Sequence, residues 1–214
     1  MGLGTSEQKI YLQIGYGKLR KKTTVPGEGV VKRFTKDGEE TLAYEYNFVE
    51  GLITNIYYKE SKDYGNSFEV TIKDGKEVYN ISFKENSRYC QDFLSKLPSI
   101  VLGEIVKITP YEMLGDNGKL FRGVSIQQNG VKLQNYFVKK EGEERKHLHG
   151  FPKPAVDNLS EKQWKIYCIE MQDFLAQYTL NEIIPKLKEG HSEPNQESEN
   201  VNNSKPEEDD EIPF

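Results

Sequence analysis

Over most of the first 138 residues, apolar and polar positions alternate with a period of two, which predicts strands. Ile10, Leu12 and Ile14 alternate with Tyr11 and Gln13. A basic stretch then runs into Pro26, Gly27, Glu28 and Gly29, which is loop chemistry, and a short strand over 30–34 leads to a turn at Lys36, Asp37 and Gly38. Between residues 41 and 60, Leu42, Tyr44, Tyr46 and Phe48 alternate with Ala43, Glu45 and Asn47, and the pattern continues for about twice the usual strand length. Gly51 sits in its middle, where a glycine weakens a strand but permits a bulge or bend. A long strand bent at its centre can pair in two directions, as closure of a small barrel requires. Strands follow over 67–73 and 77–84, joined by the hairpin dipeptide Asp74, Gly75. The period then becomes helical: Tyr89, Cys90, Phe93, Leu94 and Leu97 follow a cap at Asn86 or Ser87, and Pro98 stops the run. Alternation returns over 104–109, 119–127 and 131–138, the last two joined by Asn129 and Gly130.

A long strand, a hairpin, a helix and further strands is the element order of an OB-fold, a five-stranded partly open β-barrel with a helix after the third strand. The expectation is therefore a mainly β protein, with 8–138 forming an OB domain that carries an N-terminal β extension. Another small barrel or sandwich is the alternative. Residues 1–7 are small and polar, and a flexible N-terminus is expected there. Residues 139–158 are charged and broken by prolines, as a linker would be. Ser160, Glu161, Lys162 and Gln163 form a capping box ahead of an amphipathic helix in a segment spanning 159–188. Trp164, Tyr167, Cys168, Met171, Phe174, Leu175 and Tyr178 mark its apolar face, which would pack on the barrel or mediate association into a homo-oligomer. Residues 189–214 have almost no apolar side chain before Ile212, so a disordered acidic tail is expected.

Charge divides along the same boundary. The tail holds nine acids and one lysine, or −8, so the other residues hold 29 − 1 = 28 bases against 34 − 9 = 25 acids, or +3. Residues 1–36 alone hold eight bases and two acids. A basic front on an acidic chain suggests a polyanionic partner. Two cysteines, Cys90 and Cys168, make no disulfide framework and read as reduced thiols of a cytoplasmic protein. No secretory signal and no apolar run of membrane length is visible, and the myristoylation-like start at Gly2 lacks a second anchor signal. His147, His149 and His191 have no metal spacing, no glycine loop fits a phosphate, and no acid–base pair is positioned. The sequence therefore reads as that of no enzyme, with no cofactor and no membrane partner.

Rings and positive charge remain. Tyr16 and Phe34 bracket the bases Lys18, Arg20, Lys21, Lys22, Lys32 and Arg33. Tyr57 and Tyr58 are adjacent on a strand, so their side chains leave opposite faces, close to Lys59 and Lys62. Tyr64 lies in the loop after the first barrel strand and Tyr111 flanks the loop at 113–119, the two loop positions with which OB-folds bind oligonucleotides. Unpaired bases stack on such rings while lysine and arginine follow the phosphates, a combination that favours single strands over duplex.

The chain closes on Glu207, Glu208, Asp209, Asp210 and Glu211, followed by Ile212, Pro213 and Phe214. This ending resembles the C-terminus of bacterial and phage single-stranded DNA-binding proteins (SSBs), where an acidic run closes in Asp-Ile-Pro-Phe; here Glu211 stands in the aspartate's place. The resemblance implies that Ile212, Pro213 and Phe214 dock replication, recombination or repair proteins, with Asp209, Asp210 and Glu211 steering the encounter. The usual bacterial opening strand motif is absent and the helix at 160–184 is additional, which points to a divergent, phage-type member. The expected function is coating of single-stranded DNA. The alternatives are an annealing accessory of recombination and a protein-binding adaptor that mimics the SSB tail.

Overall fold

A computed structural model describes residues 8–34, 38–63, 65–116, 118–142, 144–156 and 158–190. The strands are β1 (Lys9–Gly15), β2 (Lys18–Thr23), β3 (Val30–Phe34), β4 (Glu40–Tyr46), β5 (Val49–Lys59), β6 (Ser67–Asp74) and β7 (Glu77–Lys84); β2 lies in the basic stretch expected as loop, where pairing with β1 and β4 makes a strand that alternation did not mark. Helix α1 (Arg88–Lys96) and a 3-10 turn follow, then β8 (Ile105–Leu114), β9 (Leu120–Gln128) and β10 (Val131–Lys132). These ten strands make one mixed sheet in the order β10-β9-β8-β5-β6-β7-β1-β2-β4-β3. The protein is mainly β, and among the described residues no ladder closes the sheet into a barrel.

The alternating run over 41–60 is two strands rather than one. It breaks at Asn47 and Phe48, so that β4 pairs with β2 and β3 while β5 pairs elsewhere. Within β5, residues 49–52 pair with β8 and residues 52–59 with β6, so the strand does serve two partners. A register shift between Ile53 and Asn55 moves the core-facing positions from Val49, Gly51 and Ile53 to Ile56 and Tyr58. Gly51 is required by close approach: a Cβ there would lie 2.6 Å from the Lys73 carbonyl oxygen of β6.

Where β7 and β9 could have met, β1 instead pairs with β7 in parallel. The edge of β9 is satisfied by side chains from α1. Asp92 Oδ2 accepts from the Val124 N–H at 2.7 Å, and Lys96 Nζ donates to the Val124 carbonyl at 2.6 Å. Asp92 and Lys96 also pair with each other at 2.7 Å, so this i,i+4 pair stands in for a neighbouring strand. The β1–β2 turn reaches the far end of β8, where the Gly17 N–H donates to Tyr89 Oη at 2.9 Å and Tyr89 donates to Glu112 Oε2 at 3.2 Å. Gly17 has φ 68°, and a Cβ on it would lie 2.6 Å from the Glu112 nitrogen.

The core fills the inside of the curled sheet, with Phe68, Phe83, Ile56, Val70, Ile72, Ile81, Ile108 and Ile126 all but fully buried. Phe93 of α1 stacks on Phe83 with ring centroids 4.4 Å apart. The stretch expected to be a linker holds a two-stranded ladder, β11 (Val138–Glu141) with β12 (Glu144–His147). On either side of it Phe137 and Phe151 are buried, and they stack at 5.5 Å. Phe137 also meets Phe174 and Tyr178 of α2 (Glu161–Tyr178) edge-on at 5.3 and 4.9 Å, which fastens the helix to the sheet. The capping box forms as predicted, Ser160 accepting from the Gln163 N–H. The helix passes through a π turn, Thr179–Ile183, into α3 (Ile184–Gly190); the turn sits directly before Pro185, whose missing N–H cannot serve a regular ladder.

Candidate nucleic-acid interface

The outward face of the sheet follows from register. Residues paired across strands share a face, so Tyr57 of β5, Glu69 of β6, Ser82 of β7, Gln13 of β1, Arg20 of β2 and Glu45 of β4 form one row. On one side of it runs a row through Lys59, Ser67 and Lys84, and on the other a row through Asn55, Thr71, Asn80 and Tyr11. Together they shape a groove of about 410 Å³ whose lining includes Tyr11, Tyr57, Lys22, Lys59, Lys84 and Glu69. Tyr11 and Tyr57 are 65% and 40% exposed. They stand three strands apart, about 14 Å at the usual strand spacing.

The floor is polar, buried and mutually hydrogen-bonded. Ser67 Oγ donates to Glu69 Oε1 at 3.1 Å, and Asn80 Nδ2 donates to Glu69 Oε2 at 2.9 Å. Asn80 Nδ2 also lies 3.4 Å from Tyr57 Oη, and Asn80 Oδ1 accepts from Thr71 Oγ1 at 3.4 Å. This network holds the floor rigid and fixes the position of the Tyr57 hydroxyl.

Beside the groove, Arg33 makes a two-point bond to Glu45, Nε to Oε1 at 2.7 Å and Nη2 to Oε2 at 2.9 Å. That bond lowers the Glu45 carboxyl below its ordinary value and raises Arg33. Arg20 approaches the same carboxylate, Nε to Oε1 at 3.2 Å, but its buried Nε and Nη2 make no hydrogen bond with the protein. Both guanidinium groups lie over the Tyr16 ring, at 5.3 Å for Arg20 and 4.4 Å for Arg33. Two cations on one carboxylate leave a net positive charge beside the groove.

The expected residues are thus divided. Tyr57, Lys59 and Lys22 share the groove, and Tyr16, Arg20 and Arg33 cluster beside it. Lys18 turns to the Asn47 side chain instead. Lys32 pairs with Glu40 and lies 5.5 Å above the exposed Phe34 ring; the β3 register puts both on the face opposite Arg33. Tyr58 points inward, packs on Phe68 at 4.9 Å and donates to Glu85, so its ring belongs to the core rather than to a binding surface. Burial, reinforced by Glu85, pushes its hydroxyl up to about 12. Tyr111 lies against Gly123 and donates to Asp92, beside α1 and away from the groove. Lys62 is exposed in the loop after β5. Tyr64 and the tail residues Asp209, Asp210, Glu211, Ile212, Pro213 and Phe214 lie outside the described residues.

Lys21 faces a second groove of about 460 Å³, with Tyr46, Phe48 and Tyr79. Glu50, Asp74 and Glu77 also line it, so three acids oppose one lysine and a polyanion is repelled. Charge, not size, separates the two grooves. Sequence reasoning missed Tyr11 and Lys84 as residues of the groove. The alternation of Tyr11 with Ile10 and Leu12 carried the signal, but nothing in the sequence showed that β1 would lie beside β7 and bring Tyr11 to Tyr57's face.

Among the described residues no group of three or more His, Cys, Asp or Glu side chains could hold a metal ion, and no helix is long and apolar enough to cross a membrane. No protein-family model and no curated protein matches the chain.

Proposed function

We propose that this protein binds single-stranded DNA along the outward face of β5, β6, β7, β1 and β2, coating the strand. The observation that carries the reading is one groove uniting two exposed tyrosine rings with three lysines, against a single glutamate. Rings take the bases at about 1–3 kcal/mol each and lysines take phosphates. A duplex hides its base faces from such rings. The element order β5, β6, β7, α1, β8, β9, with β5 shared between β6 and β8, is that of an OB-fold, and we read this part of the sheet as a variant of it. In that variant β1 takes the free edge of β7 and α1 serves the edge of β9.

The run Asp209 to Phe214 supplies a second contact, in which the apolar residues enter a pocket on a replication, recombination or repair protein and the acids steer the approach.

Titrating tyrosine fluorescence with dT oligomers of increasing length tests the DNA reading. Quenching that saturates at a defined length is expected, with weak binding to a duplex of the same length. Affinity should fall with salt at a log–log slope of about −0.7 per phosphate neutralised, near −2 if Lys22, Lys59 and Lys84 each take one. Duplex bound as tightly as single strand, or binding indifferent to salt, contradicts the proposal.

A further inference from the structure

The floor of the outward groove carries a carboxylate where a surface built only for phosphates and ring stacking would carry none. Glu69 is 7% exposed and lines the groove in the row between Tyr57 and Ser82. An ionised carboxylate offers about four acceptor positions and no donor. Two are taken, one by Ser67 Oγ and one by Asn80 Nδ2. Those same bonds hold the group in place, and Asn80 is itself held by Thr71 and Tyr57. What remains is a pair of fixed acceptor positions beside the Tyr57 ring, where the base edge next to a stacked base would arrive.

We propose that Glu69 makes the groove discriminate among bases, favouring those that present an amino group over thymine and uracil. The inference rests on the reading of this groove as the path of single-stranded DNA. Cytosine, adenine and guanine each carry an exocyclic amino donor that a carboxylate accepts. Thymine and uracil offer one ring N–H between two carbonyl oxygens, and those oxygens are repelled by the carboxylate. The like charge of the phosphates is opposed by Lys22, Lys59 and Lys84 at the rim, so Glu69 acts on base choice while the rim sustains attraction. The protein coats DNA of any sequence, with a graded preference.

Oligo-dC and oligo-dU of equal length and backbone separate the possibilities, since both lack the thymine methyl group. Titrated into the full-length protein at one salt concentration, dC is expected to bind about five- to tenfold more tightly than dU. In Glu69→Gln the ratio should fall to within about twofold of unity, and dU affinity should rise as a negative charge leaves the groove. If that variant fails to fold, oligomers of N4,N4-dimethylcytosine replace it, and losing the amino hydrogens should cost the same preference. Tight and equal binding of dC and dU overturns the base preference and leaves the groove reading intact. A preference unchanged in folded Glu69→Gln, or unchanged by dimethylation, overturns the role of Glu69. Failure to bind either oligomer overturns both this inference and the reading beneath it.

Discussion

Tyr57 and Tyr58 are neighbours in sequence and opposites in role. Tyr57 is on the outward groove with its hydroxyl near Asn80, whereas Tyr58 closes the core over Phe68. Tyr57→Ala should weaken oligo-dT binding by about 1–3 kcal/mol, roughly 5- to 150-fold, with little change in the urea midpoint. Tyr58→Ala should do the reverse and lower the urea midpoint, because it empties a packed site and leaves Glu85 and Asn66 without their partner. Titration gives a second test at this scale. Burial and Glu85 raise the Tyr58 hydroxyl to about 12, and a hydrogen bond to Glu77 with burial raises Tyr79 to about 12. Between pH 10 and 12 the unfolded chain gives up these protons while the folded chain keeps them, so stability must fall as pH rises through that window. Urea unfolding followed from pH 8 to 12 should show a flat region and then this decline. Tyr58→Phe should make the decline shallower.

At the scale of elements, α1 decides how the sheet ends. Its Asp92 and Lys96 hydrogen-bond the Val124 backbone of β9, whose neighbour across the β8 ladder is Pro110, while Phe93 on the same helix enters the core against Phe83. Asp92→Ala strips the acceptor from the Val124 N–H and the counter-charge from the largely buried Lys96. A loss of about 1–3 kcal/mol in unfolding free energy is expected, measured by urea denaturation. The helix's existence was legible in the sequence, since Tyr89, Cys90, Phe93 and Leu94 repeat at helical spacing. Its service to the edge of β9 was not, because Lys96 and Val124 are 28 positions apart and nothing between them marks their meeting. For the same reason β4 and β5 read as a single strand: alternation continues across the break at Asn47, and only pairing with different neighbours separates them.

Across the whole molecule, opposite charges sit far apart in sequence. The outward groove and the guanidinium pair beside it are cationic, while residues 189–214 carry −8. An acidic tail tethered to a basic groove competes with the phosphates, and the competition weakens as salt screens it. Deleting residues 204–214, which hold five of the acids, should therefore raise oligo-dT affinity at low salt, with the gain shrinking near 0.5 M. Equal affinity of both forms at low salt would show that the tail does not reach the groove. Phe214→Ala keeps the acids, so it should leave DNA affinity unchanged while weakening capture of a partner that reads the apolar tip.

The sequence alone determined what depends on neighbours along the chain. Strand and helix periods, the hairpin at Asp74 and Gly75, the capping box at Ser160 and the split of charge between body and tail are local properties, set by side-chain chemistry over a few residues. Tertiary structure decided everything that depends on which strands lie side by side. The parallel pairing of β1 with β7 brought Tyr11, Gln13 and Lys22 into the groove that Tyr57 and Lys84 also line. The register shift in β5 turned Tyr58 inward and Tyr57 outward. Because side chains alternate with a period of two, a one-residue offset or a single choice of neighbour moves a ring from core to surface, and such choices are made by contacts distant in sequence.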